Sequence, residues 1–177
     1  ERLRKKTDVP LIFMMYMNSI FGFGTEKFFE KCAEVGIDGV IVPDLPYEER
    51  DEIKDAADKN NVISISLITP ASADRIEKIA KDARGFVYCV SSNGVTGMRS
   101  AFKTDFESFT SEIKKYTDIP CAIGFGISGA RQAAEIKKYC DGIIVGSAIV
   151  DIVGKHGKDS VAEIGKLTSD LRQAIDS

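Results

Sequence analysis

Three glycine-rich stretches stand where main-chain N–H groups can hold an anion: Gly94-Val95-Thr96-Gly97, Gly124-Phe125-Gly126-Ile127-Ser128 and Gly146-Ser147-Ala148. Glycine lets the backbone approach a ligand closely, and a helix opening from such a stretch adds partial positive charge. Any one of them alone also reads as a tight turn. Two that follow consecutive strands, at the end of the chain, point to phosphate binding. Among the carboxylates, Asp44 follows a strand-like run and has two readings, a group in a pocket or a cap for a helix begun by Pro46. Glu48 and Glu49 fit the first turn of that helix, where negative charge is favoured. His156 is the single histidine and lies in the polar stretch Gly154-Lys155-His156-Gly157-Lys158, so no Ser–His or Cys–His dyad is indicated. Cys32, Cys89, Cys121 and Cys140 form no C-x-x-C pair, and most sit in or beside apolar runs; they read as reduced buried thiols, with no metal site. Tyr16 and Tyr88 stand near strand ends, where they either line an aromatic pocket or pack in the core with the hydroxyl satisfied.

The elements that must carry these residues are legible from the hydrophobic pattern. Apolar runs at Leu11 to Met17, Gly39 to Val42, Val62 to Ile68, Phe86 to Val90, Cys121 to Ile123 and Gly142 to Val145 are short and rich in Val and Ile. They barely alternate, which is the mark of strands buried on both faces of a parallel sheet. Helical patterns separate them. Thr25 to Gly36 carries Phe28, Phe29, Cys32 and Ala33 on one face, with Gly36 as the stop. Ile53, Ala56 and Ala57 form the stripe of the next helix, and Ile76, Ile79 and Ala80 that of the one started by Ser72. Phe106, Phe109, Ile113 and Tyr116 mark another. Ser128 precedes a helix built on Ala130, Ala133, Ala134 and Ile136, and Val161, Ile164, Leu167, Leu171 and Ile175 mark the last.

Strand–helix units in series leave two architectures, an open doubly wound sheet or a (β/α)8 barrel. In both, ligands bind at the C-terminal ends of the strands. Six units complete an open sheet but fall about two short of a barrel of ~250 residues. An open dinucleotide-binding sheet carries G-x-G-x-x-G after its first strand; here that position reads Asn18-Ser19-Ile20-Phe21-Gly22. The placement of the glycine stretches after the last two strands favours the barrel.

Composition narrows the partners. The chain has 177 residues, a formal net charge of -3 and 44% hydrophobic residues, which is enough for a sizeable core in one domain, residues 1–177. The mild negative charge argues against nucleic acid or an anionic membrane surface, since both require a basic face. No apolar run approaches the ~20 residues of a membrane span, and the charged opening Glu1 to Lys6 is unlike a signal sequence. A cytoplasmic location is expected.

Pro43-Asp44-Leu45-Pro46-Tyr47-Glu48-Glu49, Gly85-Phe86-Val87-Tyr88, Gly94-Val95-Thr96-Gly97, Gly124-Phe125-Gly126-Ile127-Ser128 and Gly146-Ser147-Ala148-Ile149-Val150 occur in this order and spacing. As a set, running from about Pro10 to the end, the sequence resembles the tryptophan synthase alpha chain. The resemblance implies a (β/α)8 TIM barrel that cleaves indole-3-glycerol phosphate to indole and glyceraldehyde 3-phosphate without a cofactor, and that hands indole to a beta chain. By match, Gly97, Gly126, Ile127, Gly146 and Ser147 form the phosphate cradle. Tyr16, Leu67, Tyr88 and Phe125 fall where the family lines its indole pocket. Thr96 matches the threonine of the loop that closes over substrate, and Asn18 and Asp44 match polar strand-end positions near the pocket and the face toward the beta chain.

The family's catalytic Glu and its partner Asp lie upstream of anything in these residues. The resemblance therefore implies strands three to eight of the barrel, with the phosphate and indole half-sites and without the acid/base pair. Two rival readings remain: another phosphate-binding barrel enzyme, and a non-catalytic fragment that self-associates. If the barrel is open, Leu11–Met17 and Gly142–Val145 are exposed parallel edges, and a homo-oligomer paired through them is expected.

Overall fold

The computed structural model describes residues 1–72, 74–90, 105–124 and 126–177. The chain divides into two compact units, one of Glu1–Leu67 with Asp82–Gly85 and one of Ile68–Lys81 with Phe86–Ser177.

In the first unit, strand β1 (Ile12–Met14) leads into helices α1 (Met17–Phe23) and α2 (Thr25–Val35), strand β2 (Gly39–Ile41), helix α3 (Asp51–Lys59) and strand β3 (Ile63–Ser64). The strands lie parallel in the order β1-β2-β3, with Ile12 opposite Gly39 and Gly39 opposite Ile63. The core beneath them is apolar: Ile20, Phe28, Phe29, Cys32, Val40, Ile53, Ala56 and Val62 are buried together. Phe28 and Phe29 meet edge to face, 5.2 Å between centroids. Gly36 ends α2 at φ 77°, a left-handed conformation that glycine adopts without steric cost. The N–H of Ile37 then returns to the carbonyl of Cys32 at 2.9 Å, closing the helix end. Arg4 ties the first residues to this corner, donating to the Gly36 carbonyl at 2.8 and 3.0 Å and pairing with Asp38.

A second sheet, whose strands β5 to β7 lie in the second unit, has the order β4-β5-β6-β7. Its strands are β4 (Ser66–Ile68), β5 (Val87–Val90), β6 (Cys121–Gly124) and β7 (Gly142–Ile144). The pairs β5–β6 and β6–β7 are parallel, with Val90 opposite Gly124 and Gly124 opposite Ile144. Helices α4 (Ile76–Asp82), α5 (Phe106–Lys114), α6 (Ala130–Ile136), α7 (Ser147–His156) and α8 (Val161–Asp176) alternate with these strands or follow them. Val87, Cys89, Cys121 and Ile123, alternate residues on one face of β5 and β6, are fully buried, whereas Tyr88, Val90 and Ala122 on the other face are only partly so and Phe13 and Met14 of β1 are exposed; the burial on both faces expected of every strand holds for β2 and not for these.

The parallel α/β class expected from the pattern is therefore present. Several boundaries differ. The run Leu11 to Met17 forms strand only over Ile12–Met14, and Met17 begins a helix the pattern did not show. Val62 to Ile68 is two strands that join different sheets, interrupted at Ile65, whose N–H bonds the Val40 carbonyl at 2.9 Å. Thr25 is the first residue of α2 and Gly24 its cap. Pro46 precedes a single turn, Tyr47–Glu49, before α3 proper. Ala33 is exposed, and Val161 is 75% exposed, so each lies off the buried stripe assigned to it. His156 closes α7 and bonds Glu163 at 3.1 Å. Among the described residues no helix is long and apolar enough to cross a membrane.

Candidate functional site

The second unit places two glycine loops at the same end of neighbouring strands. Gly124 ends β6 in register with Ile144, the end of β7. The loop after β6 turns through Gly126 at φ 57°, which favours glycine, and then buries Ile127 to 2% exposure. Ser128 precedes α6, and both its N–H and its hydroxyl bond the Gln132 side-chain oxygen, at 2.9 and 3.0 Å. Gln132 thus fixes the loop's exit. Its signal, an amide four residues beyond Ser128, was present in the sequence and passed over.

The loop after β7 is shorter. Gly146 caps α7 and Ser147 is the helix's first residue. Among the described residues no side-chain bond caps this end, and its first turn holds no acidic residue. Gly146 has φ -118°, open to any residue, and a Cβ added there would meet nothing within 4 Å. Packing does not demand glycine at this position; a bare backbone facing open space does suit close approach by a ligand.

Tyr88 lies on β5 beside these loops. Its ring occupies the space a Cβ on Gly124 would take: the Cζ atom would be 2.6 Å away, with Cε2 and the hydroxyl closer still. Gly124 therefore leaves room for the half-buried Tyr88 ring at the end of β6. Burial raises the Tyr88 phenol above its ordinary value. Thr96, Gly97 and Phe125 lie outside the described residues.

In the first unit, Tyr16 caps α1 in extended conformation and is 64% exposed, and Asn18 is exposed in the helix's first turn. Asp44, beyond β2, does not cap the helix that follows it. Its carboxylate accepts the N–H of Met17, at 2.9 Å to Oδ1 and 3.2 Å to Oδ2. Tyr16, Asn18 and Asp44 are thus brought to one end of the β1–β2 pair. Leu67 is half-buried in β4.

Two features at the opposite, N-terminal ends of the strands were not anticipated. Asp141 accepts the Cys121 N–H at 2.7 Å and pairs with Lys114 at 2.9 Å, which together hold its carboxyl below the usual range. Cys89 and Cys121 are both fully buried, and their thiols donate to the carbonyls of Val87 and Ile119, each at 3.9 Å. The interaction between the two thiols, with burial, raises that of Cys89; the same interaction, with Lys114, lowers that of Cys121 against the opposing effect of burial. All four cysteines are unpaired thiols, and among the described residues no group of His, Cys, Asp or Glu is arranged to hold a metal ion.

Comparison with known proteins gives these observations a frame. A family model of the tryptophan synthase alpha chain matches residues 1–176. The alpha chain of Lacticaseibacillus casei is 48% identical over 177 residues, covering 100% of this chain and 66% of its own length. That of Clostridium kluyveri is 45% identical, covering 99% and 67%. The chain thus spans about two thirds of the length of such relatives. Among solved structures, tryptophan synthase subunit alpha from Campylobacter jejuni superposes with a TM-score of 0.79 at 34% identity, over 91% of this chain and 65% of that one. The alpha subunit of Pyrococcus furiosus gives 0.83 at 28% identity, over 97% and 70%. These neighbours are (β/α)8 barrels, of which the present residues cover a part. By sequence over its whole length and by fold, the chain belongs to the tryptophan synthase alpha chain family.

Proposed function

We propose that this chain carries the phosphate and indole half-sites of a lyase that cleaves indole-3-glycerol phosphate to indole and glyceraldehyde 3-phosphate. The observation that carries the reading is the pair of glycine loops on the in-register ends of β6 and β7, one left-handed at Gly126 and one opening onto uncapped α7 at Gly146. In this reading the N–H groups of Gly126, Ile127, Gly146 and Ser147 hold the phosphate, joined by Gly97 and the Ser147 hydroxyl. By match to the family, Tyr16, Leu67, Tyr88 and Phe125 are the indole-contacting residues and Thr96 is the threonine of the closing loop. Asn18 and the exposed Phe21 and Phe23 of α1 face a beta chain. A P. furiosus relative has been solved as an a2b2 complex.

The chemistry requires a proton delivered to indole C3 and one removed from the glycerol hydroxyl. On the resemblance, neither the family's Glu nor its Asp is among these 177 residues. A polypeptide of this length is expected to bind and not to turn over, since each such group contributes roughly 10²–10⁴-fold. The test is a titration with glycerol 3-phosphate. Saturable binding that Gly126→Val weakens several-fold supports the reading, and equal affinity in the variant rejects it. Turnover of indole-3-glycerol phosphate at an ordinary enzymatic rate by this polypeptide would reveal an acid/base pair elsewhere in it.

A further inference from the structure

The geometry points to Asp44 as a positioning residue: its carboxylate sets the β1–α1 connection and thereby the placement of Tyr16 and Asn18. This rests on the reading of Tyr16 as part of the indole pocket. Three observations support it. Both Asp44 oxygens lie within hydrogen-bond reach of one main-chain N–H, that of Met17, a residue 7% exposed and anchored in the first unit's core. Tyr16 caps α1 without any side-chain bond to it, and the first turn of α1 contains no acidic residue. The charge and acceptor that a helix start ordinarily draws from its own sequence therefore come from a residue 27 positions away, at the end of the neighbouring strand. Because Asp44 supplies the cap, Tyr16 is released from that duty and its ring extends outward, 64% exposed, with Asn18 beside it. A carboxylate engaged in this way is poorly placed to exchange a proton with substrate, which requires direct reach to the reacting atom. Asp44 acts through Tyr16 and Asn18.

The experiment compares the 177-residue chain with Asp44→Ala, Asp44→Asn and Val62→Ala. Val62 is a core residue at 2% exposure, far in role from the pocket, and its truncation serves as a purely destabilising control. Two quantities are read on folded samples: hydrogen exchange in the peptide holding Met17, and the affinity for indole in the presence of glycerol 3-phosphate. Indole fluorescence is read directly, because the protein has no Trp. Asp44→Ala is expected to speed exchange at Met17 and weaken indole binding roughly fivefold, the population shift produced by a lost cap. Asp44→Asn keeps an accepting oxygen and should restore most of both. Val62→Ala should lower the unfolding midpoint and leave affinity unchanged. Wild-type affinity in Asp44→Ala overturns the proposal, as does equal weakening in Asp44→Ala and Val62→Ala, which would show general loosening. Asp44→Asn as defective as Asp44→Ala also overturns it, because an accepting oxygen at the Met17 N–H would then not be what places Tyr16 and Asn18. Absence of any indole response in the wild-type chain overturns the reading of the pocket, and this inference with it.

Discussion

At the scale of single residues, the second unit turns on glycines that are required for different reasons. Gly126 is favoured for its backbone angle and Gly124 is needed because Tyr88 occupies the volume its side chain would fill, whereas neither the backbone angle nor packing requires glycine at Gly146. Adding one methyl at Gly124 therefore forces a half-buried aromatic ring to move, an overpacking that costs about 1–3 kcal/mol. Gly124→Ala should lower the urea midpoint accordingly. Combining it with Tyr88→Val should cost less than the two single changes summed, since the ring that causes the clash is gone. Strict additivity in that double-mutant cycle would show that Tyr88 does not lie over Gly124.

At the scale of elements, three helix starts are fixed by side chains in different ways. Asp105 caps α5 from the immediately preceding position, accepting the Ser108 N–H at 3.0 Å. Gln132 fixes the approach to α6 from inside the helix, and Asp44 serves α1 from another strand. The Asp105 cap is local and independent of ligand. Asp105→Ala should destabilise the fold by about 1 kcal/mol while Asp105→Asn costs little, measured by urea unfolding. Glycerol 3-phosphate affinity should not change, because the start of α5 takes no part in the proposed cradle. The start of α7 has no such cap. The cap residues of α2, α3 and α8 likewise make no side-chain bond to their helices.

At the scale of the whole molecule, ion pairs set how stability responds to acid. Asp58 is held below the ordinary carboxylate range by hydrogen bonding to Lys54, with Arg84 adding to it. Asp82 is lowered by the Tyr47 hydroxyl and by Arg50, and Asp141 by the Cys121 N–H and Lys114. For a carboxylate depressed in the folded state, stability is fully present above its unfolded value, near 4, and is lost as pH falls toward the folded value. The urea midpoint should therefore be flat from neutrality down to about pH 5 and fall below it. Asp141→Asn should have a lower midpoint at pH 7 and a shallower acid slope. An acid slope identical to wild type would remove Asp141 from this account. Since these side chains are substantially exposed, solvent screening keeps each contribution modest.

Much of this was written in the order of residue types. Short apolar runs rich in Val and Ile fix a parallel α/β fold because only strands covered on both faces can be so uniformly apolar. Two late glycine stretches marked the loops that follow β6 and β7, and Phe28, Phe29, Cys32 and Gly36 marked a helix, its buried face and its stop. These are local patterns, set by period and by backbone sterics, and neighbouring residues suffice to express them. What only the tertiary structure decided depends on residues distant in sequence. Met17 reads as the end of a strand, yet it starts a helix because Asp44, across the sheet, accepts its N–H. Val62 to Ile68 reads as one strand, yet it divides between two sheets because pairing partners, not apolar character, assign a residue to a ladder. Gly124 reads as loop flexibility, yet it is kept small by a tyrosine on the neighbouring strand. Periodicity records which face of an element is buried; it does not record what lies against that face, and here the choice of partner gives Asp44, Gly124 and Tyr88 their roles.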